Sequence, residues 1–423
     1  MKRISLQTPL GFAAAFASVQ VFGSGFALNE QSISGMGTGF AGRSSSAEDA
    51  STVFGNPAGM SRLKHEQVSV GAATLFAKSD ISQSHSTFGG KQDGDMVPVT
   101  TVPMGYYVKP IDEHWAFGVG FYVPFGLITD YGSDFAGRYY ANKSEVTTLT
   151  FQPTVSYAFN DKVSIGFGPT INRISGELSA MAPNAFSPGT NDGKVKSSGD
   201  DTALGFNAGV LVQATQSTRL GVAYHSKVSY HLDAKTKVTN GTFSLLGLSG
   251  QSYDASLDVD LPESVDLSVT HQLTDNWTLY LGSTWTRWSR FKALTIENTG
   301  LPAVLRNSLS TVTEEENWHD TWAHAVGTAY QLNKQWVLRT GLSVDQSPTN
   351  NTNRSPRIPT GDRTVFSLGA GWTPVDNVTV DFAYSYLWEE SVKVNDVSAT
   401  RGAYSSKYKN SANGFGTSLT YRF

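Results

Sequence analysis

Strict alternation of apolar and polar residues is the feature that most constrains the fold of this chain. The stretch NVTVDFAYSYLW (377–388) places valine, phenylalanine, tyrosine and tryptophan at alternate positions, with threonine, aspartate, alanine and serine between them. The stretches QWVLRTGLSVD (335–345) and KVSIGFGPT (162–170) follow the same rule. A period of two residues is that of a β-strand with one large apolar face and one small or polar face. The sequence therefore predicts an all-β protein.

The connections between these stretches are of two kinds. Six are tight turns rich in Asp, Asn, Pro or Lys: KPIDEH, FNDK, QSTR, LTDN, LNKQ and PVDN. Seven are longer polar stretches, near residues 79–96, 129–143, 180–200, 235–252, 297–317, 347–362 and 395–407. Tight turns at one end, long loops at the other and an even strand number are typical of membrane barrels. We therefore expect a transmembrane antiparallel β-barrel of about fourteen strands, with a soluble many-stranded sandwich as the alternative.

The first residues have the pattern of a secretory signal peptide. Lys2 and Arg3 precede an apolar stretch, residues 10–22, that is too short and too interrupted to cross a membrane as a helix. We expect residues 1–23 to be removed, although cleavage after Ala27 also fits the small-residue pattern. Without cysteine the chain has no disulfide framework or zinc–thiolate site, and its net charge of -4 does not suggest a nucleic-acid partner.

One early stretch, SSSAEDASTVFGNPAGM (44–60), does not fit a strand, because it contains small residues without alternation and is broken by an Asn-Pro pair. It belongs to residues 24–65, which precede the first predicted strand. A barrel of about fourteen strands encloses a lumen that its own side chains do not fill. We therefore predict that residues 24–65 form a plug inside a barrel of residues 66–423.

Local signals predict some structure within this plug. Ser46 is a suitable helix N-cap, and Glu48 and Asp49 would lie in the first turn, so a short helix is expected there. Pro57 excludes helical backbone at Asn56 and fixes a bend.

Residues 25–60, GFALNEQSISGMGTGFAGRSSSAEDASTVFGNPAGM, resemble the N-terminal hatch of the FadL/TodX family, outer-membrane transporters of long-chain fatty acids and aromatic hydrocarbons. Shorter patches that resemble the family are YVPFGLITDY, DLPESVDLS, RWSRFKAL, RTGLSVDQSP and RIPTGDR. The resemblance implies a monomeric, plugged, fourteen-stranded barrel in the outer membrane of a Gram-negative bacterium. Such a protein conducts hydrophobic ligands passively and is neither an enzyme nor dependent on a cofactor.

The resemblance also implies partners and gating residues. The partners would be a long-chain fatty acid or another hydrophobic small molecule, with outer-membrane lipid and lipopolysaccharide around the barrel. The hatch residues that would take part in gating are Phe26, Leu28, Asn29, Glu30, Asn56, Pro57 and Ala58.

Two loops carry apolar residues within otherwise polar stretches, MAPNAFSP and GTFSLLGLSG. Such residues are consistent with a groove that captures ligand, and local loop packing is the alternative. The groove residues would be Met181, Phe186, Phe243, Leu245, Leu246 and Leu248.

The third predicted strand contains a proline and a glycine that disfavour regular pairing. Pro124 cannot donate a ladder hydrogen bond and Gly126 weakens pairing further, so we expect a break at Pro124, Phe125 and Gly126. The family resemblance implies that ligand leaves the barrel sideways at this break, and an ordinary bulge is the alternative.

A carboxylate head group would favour a basic partner. The alternation places Arg339 on an inward face. The other basic candidates are Arg173, Arg287 and Arg290, placed on inward faces of other strands, and His319, near a basic position of the family. Because the stretch ISGELSA lacks a counterpart for another family arginine, uptake of monoaromatic hydrocarbons stays open. For each basic residue the alternative is a salt bridge to a lumen carboxylate such as Asp381.

Other functions are further alternatives. A general porin and a barrel lipid hydrolase both remain compatible with a signal peptide and a barrel. His319 and His324 lack a third metal ligand, so no metal site is expected.

Overall fold

The computed structural model describes residues 25–92 and 94–423, and in that part of the chain twenty strand segments form one antiparallel sheet. The first segment pairs with both the second and the last, so the sheet closes on itself as a barrel. The predicted signal peptide, residues 1–23, lies outside the described residues. None of the helices in these described ranges has the length and apolar character that crossing a membrane would require.

The strand segments are β1 (Gln67–Ser86), β2 (Thr100–Pro110), β3 (Trp115–Tyr122), β4 (Gly126–Asp130), β5 (Lys143–Ala158), β6 (Val163–Ala182), β7 (Gly193–Gln213), β8 (Thr218–His225), β9 (Val228–Thr239), β10 (Ser252–Leu261), β11 (Ser264–Thr274), β12 (Trp277–Thr286), β13 (Ala293–Asn298), β14 (Thr311–Glu315), β15 (Thr321–Gln331), β16 (Trp336–Asp345), β17 (Arg363–Val375), β18 (Val378–Glu389), β19 (Val392–Ser398) and β20 (Gly402–Arg422). The helices are α1 (Ile33–Gly37), α2 (Thr52–Gly55), α3 (Gly241–Leu245) and α4 (Ala303–Leu309), with 3₁₀ turns at Pro57–Arg62 and Trp288–Arg290.

Several consecutive segments are the two halves of one interrupted barrel strand. These pairs are β3 with β4, β8 with β9, β10 with β11, β12 with β13, β14 with β15, and β18 with β19. Counted this way, the described residues form fourteen barrel strands, so the predicted fold and strand number are confirmed. The six predicted tight turns lie at one end, which we call the turn end, and the longer connections lie at the loop end.

The barrel wall has an apolar outer face and a small or polar inner face. In β18, Phe382 and Tyr386 are exposed, whereas Ala383 and Ser385 between them are buried. The same exposed band continues around the barrel, with aromatic residues such as Trp277 near the turn end. This facing is what the two-residue period predicts.

Several polar stretches expected to be loops are strand instead. β7 begins at Gly193 and runs for 21 residues, and β9 continues to Thr239. Beyond the apolar band, charged residues pair across these strands, as in Lys235 with Asp254 at 2.7 Å. Because both faces are polar there, hydropathy does not distinguish these strand ends from loops.

The plug, residues 25–65, packs inside the barrel against small residues of the wall. A Cβ atom added at Gly221 would lie 1.9 Å from the carbonyl oxygen of Ser44, and one at Gly341 would lie 2.1 Å from the carbonyl carbon of Thr38. Similar contacts with plug atoms occur at Gly166, Gly209, Gly282, Gly327 and Gly369. A side chain at these wall positions would clash with the plug, so glycine is what allows the plug backbone to pack against the wall.

The helix expected to start at Ser46 is not formed. Ala47 has a φ of 49°, in the left-handed region, and α2 begins only at Thr52. Glu48 does not cap a helix, because its carboxylate accepts a hydrogen bond from Arg339 of the wall at 3.0 Å. A tertiary ion pair therefore overrides the local helix signal.

Candidate functional site

An apolar cavity lies at the loop end of the barrel. Its lining is mainly aliphatic and aromatic: Leu127, Val146, Ile174, Leu178, Leu232, Leu257, Val259, Leu261, Phe291, Leu294, Ile296 and Ile358. Most of these residues come from β4, β5, β6, β9, β10 and β13, whose inward faces are apolar at this level. A lining of this kind suits a hydrophobic small molecule.

One charged side chain, Arg357, lines this cavity in the described part of the chain. It is 7% exposed, its Nε donates to Glu314 Oε2 at 2.6 Å, and its Nη1 donates to Ser144 Oγ at 3.1 Å. Arg357 was not among the predicted head-group residues, because it lies in the loop between β16 and β17, where alternation gives no facing. The signal that could have found it is the stretch RIPTGDR, which resembles the family and contains it.

Phe26, near the start of the plug, forms the floor of the apolar cavity. Its side chain is 3% exposed and is surrounded by aromatic rings. The distances between ring centroids are 4.9 Å to Trp288, 5.5 Å to Phe291, 5.9 Å to Trp318 and 6.0 Å to Phe125. Aromatic contacts of this kind stabilise a residue beyond the area that it buries. Phe26 therefore closes the cavity with a well-packed side chain.

The third barrel strand is interrupted between Tyr122 and Gly126, and the plug occupies the interruption. The backbone nitrogen of Leu28 donates to Pro124 O at 2.8 Å, and the nitrogen of Gly126 donates to Phe26 O at 3.0 Å. A further bridge joins Ala27 to the residue between Pro124 and Gly126. Plug residues 26–28 thus take the place of a pairing strand where proline has removed a ladder donor.

A second, polar chamber lies on the other side of Phe26, towards the turn end. Its lining includes Asn29, Arg43, Asn172, Asn207, His225, Asp266, Thr284 and Asp345. Several of these groups are linked by hydrogen bonds, such as Thr284 Oγ1 to Asp266 Oδ2 at 2.7 Å. One aromatic side chain thus separates an apolar compartment from a polar one.

Glu30 adds a titratable group to the tip of the plug. Its side chain is 1% exposed, and both carboxylate oxygens lack a hydrogen-bond partner among the described residues. Burial raises the pKa of Glu30 to about 7, and the charges of Arg43 and Arg363 oppose a further rise. Arg363 also donates to the carbonyl oxygen of Gly25 at 3.3 Å, so it contacts the tip directly.

The plug residues singled out in the sequence lie in two groups. Phe26, Leu28, Asn29 and Glu30 lie at the tip, beside the strand interruption, and Asn56, Pro57 and Ala58 lie near the turn end. Asn56 has extended backbone, as Pro57 requires, and its Nδ2 donates to Ser44 O at 2.7 Å and to Val210 O at 3.0 Å. The second group therefore ties the plug to itself and to the wall.

The predicted groove residues do not share one exposed surface. The exposed members are Phe186, Leu245 and Leu246. Phe243 is buried in a loop cluster with residues of α4 such as Leu305, a contact that fits the alternative of local loop packing. Met181 and Leu248 are half-buried.

Arg339 faces the lumen, as the alternation predicts, but it is fully engaged in ion pairs. Its Nη1 donates to Asp381 Oδ1 at 2.7 Å and its Nη2 donates to Glu48 Oε2 at 3.0 Å. Tyr280 also donates to Glu48 at 2.6 Å. Burial alone would raise the pKa of Glu48, but Arg339 and Tyr280 hold that pKa below its ordinary value. Arg339 thus anchors the plug and does not line the apolar cavity.

The other basic candidates do not line the apolar cavity either. The inward placement of Arg173 is wrong: it faces outward from β6, on the same face as Ile171, and pairs with Asp200 at 2.9 Å. Arg287 and Arg290 lie outside a regular strand and both pair with Glu263. His319 is exposed between β14 and β15.

Comparisons with known proteins cover nearly the whole chain. Residues 14–423 match the family described as outer membrane protein transport protein (OMPP1/FadL/TodX). The chain is 27% identical over 452 residues to the long-chain fatty acid transport protein of Escherichia coli O6:H1, covering 100% of this chain and 99% of that protein. It is 29% identical over 438 residues to the 47 kDa outer membrane protein of Pasteurella multocida, covering 99% and 98%.

Solved structures agree in fold. A Pseudomonas aeruginosa FadL homologue is similar with a TM-score of 0.83 and 28% identity, over 95% of this chain and 100% of that one. The Ralstonia pickettii toluene transporter TbuX is similar with a TM-score of 0.67, over 92% and 97%. At 17% identity, the second likeness concerns the fold alone.

Proposed function

The chain belongs to the outer membrane transport protein family OMPP1/FadL/TodX, and from that premise we propose that it conducts long-chain fatty acids passively across the outer membrane. The family consists of transporters of hydrophobic compounds, not enzymes. The observation that carries the proposal is an apolar cavity whose floor, Phe26, belongs to the same plug segment that fills a break in the wall.

Capture would begin at the loop end. Phe186 is 81% exposed and Leu245 is 66% exposed, on loops that otherwise carry polar residues. Exposed apolar side chains of this kind favour contact with a hydrophobic molecule. Loop contacts would therefore raise the local concentration of ligand next to the cavity.

Binding would follow in the apolar cavity. Each methylene moved from water into such a lining contributes about 0.8 kcal/mol, so a long acyl chain gains more there than a small aromatic ring. Arg357, at one wall of the cavity, could bind the carboxylate of a fatty acid. Because Arg357 already pairs with Glu314, the fatty-acid carboxylate would share Arg357 with Glu314 or displace it. This preference favours fatty acids over monoaromatic hydrocarbons.

Release would require movement of the plug tip. Withdrawal of residues 26–28 breaks two backbone hydrogen bonds and removes Phe26 from the cavity floor. The interruption at Pro124 then opens the lumen towards the membrane, and the ligand leaves sideways. In this proposal residues 1–23 direct export, residues 24–65 are the gate and residues 66–423 are the barrel. A single chain, the monomer, is sufficient for transport.

The test compares uptake of radiolabelled oleate and toluene in a deletion strain that expresses this protein. A Pro124→Ala/Gly126→Val variant restores pairing in the third strand, and Pro169→Ala in β6 serves as a matched control. We expect oleate uptake to fall to background in the double variant and to persist in the control. Uptake that survives straightening would contradict lateral release but not transport.

The same strain and purified protein separate the other functions. Uptake of toluene without oleate would favour the monoaromatic alternative. A steady ionic conductance in planar bilayers would favour a general porin, and release of fatty acid from phospholipid by the purified protein would favour a hydrolase.

A further inference from the structure

The barrel wall contains a second interruption, between the sixth and seventh barrel strands. β7 pairs with β9 from Lys194–Thr239 to Asp200–Asp233, and with β8 from Asn207–His225 to Gln213–Arg219. Between these two ladders no register pair joins residues 201–206 of β7 to residues 226–232. Six residues thus face seven, so the two strands cannot pair regularly there.

One backbone hydrogen bond, from the nitrogen of Ser226 to Phe206 O at 2.9 Å, and two side-chain hydrogen bonds hold this interruption closed. The nitrogen of Phe206 donates to Ser226 Oγ at 2.8 Å, and the nitrogen of His231 donates to Asp201 Oδ2 at 2.8 Å. Val228 packs into the remaining space, since a Cβ at Gly205 would lie 2.9 Å from its Cγ2 atom. Opening this closure requires rotation of a few side chains and loss of one backbone hydrogen bond, whereas a continuous ladder would have to be broken along its length.

The interruption lies between lipid and both internal compartments. On the inside, Ser226 and Val228 line the polar chamber, and Leu232 lines the apolar cavity. On the outside, Leu204 is 75% exposed, and Phe206 is 39% exposed. The passage would therefore have an apolar mouth.

Its height matches the outer edge of the membrane. Leu204 lies nine residues above the end of β7 at Gln213, which corresponds to about 20 Å for a tilted strand, inside an apolar band about 25 Å tall. Charged side chains lie beside and beyond it, with Lys227 paired to Asp260 at about the same level and Arg173 paired to Asp200 farther out. An apolar mouth with a charged rim fits an anionic single-chain amphiphile that lies in the outer leaflet.

We propose that this interruption is a second lateral passage, through which a long-chain fatty acid already dissolved in the outer leaflet enters the apolar cavity directly. The tail passes between Leu204 and Leu232, and the carboxylate stays level with Arg173. The passage serves entrance because Leu232, at its inner end, lines the cavity on the loop side of Phe26, so it opens without movement of the plug. This inference rests on the proposed function as a fatty-acid transporter.

The test bridges the interruption covalently. Because the chain contains no cysteine, a Leu204→Cys/Ser229→Cys pair can be linked with a short bismaleimide across the unpaired region. A Val210→Cys/Val222→Cys pair is the matched control, since these residues are directly opposite in the intact ladder of the same wall. Mass spectrometry confirms each bridge, and heat-modifiable gel mobility confirms that each barrel is folded.

Binding is read with dibrominated stearate in a background where every tryptophan except Trp288 and Trp318 is replaced by phenylalanine, so that the bromine atoms quench only the tryptophans at the cavity floor. In one arm the probe is dissolved in the bilayer of proteoliposomes. In the other it is delivered on albumin to protein held in a polymer belt without a bilayer. We expect the Leu204–Ser229 bridge to slow binding from the bilayer at least tenfold and to change binding from albumin less than twofold. The control bridge should change neither.

Other outcomes separate the claims. An unchanged rate from the bilayer in the bridged variant would overturn the passage and leave transport intact, whereas failure of the unmodified protein to bind the probe in both arms would overturn the proposed function itself. A second variant, Ser226→Ala, removes the acceptor of the Phe206 hydrogen bond and should speed binding from the bilayer, with Ser226→Thr restoring the original rate. An unaltered rate in Ser226→Ala would contradict closure by this side chain.

Discussion

The two ends of the plug are held in the barrel by different kinds of interaction. The tip, residues 25–30, rests on the aromatic contacts of Phe26 and on two backbone hydrogen bonds to the third strand. The base, residues 43–62, is held by buried ion pairs and by backbone contact with wall glycines. Aromatic contacts and two hydrogen bonds are lost stepwise, whereas breaking a buried ion pair leaves unpaired charge. The difference indicates a fixed base and a movable tip.

The largest effect is expected from a substitution that removes the ion pairs holding the base to the wall. Arg339→Met leaves Asp381 and Glu48 without their cation, and an uncompensated buried charge costs about 3 to 5 kcal/mol. We expect the base to detach and the protein to show steady ionic conductance in planar bilayers. The control is Arg173→Met, which removes an exposed outward ion pair worth less than about 1 kcal/mol. Conductance as low as that of the unmodified protein in Arg339→Met would show that the ion pairs do not fix the base.

The second prediction frees the tip and leaves the base in place. Phe26→Ala removes a buried ring from the aromatic cluster, a loss of about 3 kcal/mol. We expect dissociation of bound oleate to accelerate by up to about 100-fold, the factor that corresponds to this energy, without ionic conductance. Stopped-flow displacement measures the rate, and Phe186→Ala, at an exposed loop position, is the control. Conductance in Phe26→Ala would mean that tip and base do not act separately.

The sequence predicts the outline of this arrangement better than its contacts. Alternation gives the barrel and the inward facing of Arg339, and Pro124 with Gly126 marks the interruption of the third strand, because these features depend on local backbone chemistry. The facing of Arg173 depends on register, and a shift of one residue reverses it. Arg357 lies in a loop, and the helix expected at Ser46 gives way to an ion pair across the lumen, so both depend on tertiary contacts that no local pattern contains.

A third prediction uses pH to loosen the tip. Because burial raises the pKa of Glu30 from 4.5 to about 7 when the tip is docked, the docked state binds the proton more tightly than the undocked state. The free energy of docking the tip is therefore most favourable below pH 4.5. It becomes less favourable by about 3 kcal/mol as the pH rises to about 7, and it is constant above that value. Amide hydrogen exchange of residues 25–31 should increase over this interval. Glu30→Gln should flatten this part of the pH dependence, and an equally steep profile in that variant would assign it to another group.

The smallest expected effect concerns a hydrogen bond that joins tip and base directly. Arg43 Nη2 donates to Asn29 Oδ1 at 2.5 Å, and a hydrogen bond to a charged group contributes about 1.5 to 3 kcal/mol. Asn29→Ala should therefore increase exchange at the tip modestly and leave the base unchanged. Asn29→Asp places a carboxylate opposite Arg43 and should slow exchange at the tip below that of the unmodified protein. If both variants changed exchange at residues 43–62 as much as at residues 25–30, the plug would move as one body, and release at the third strand would require the base to leave as well.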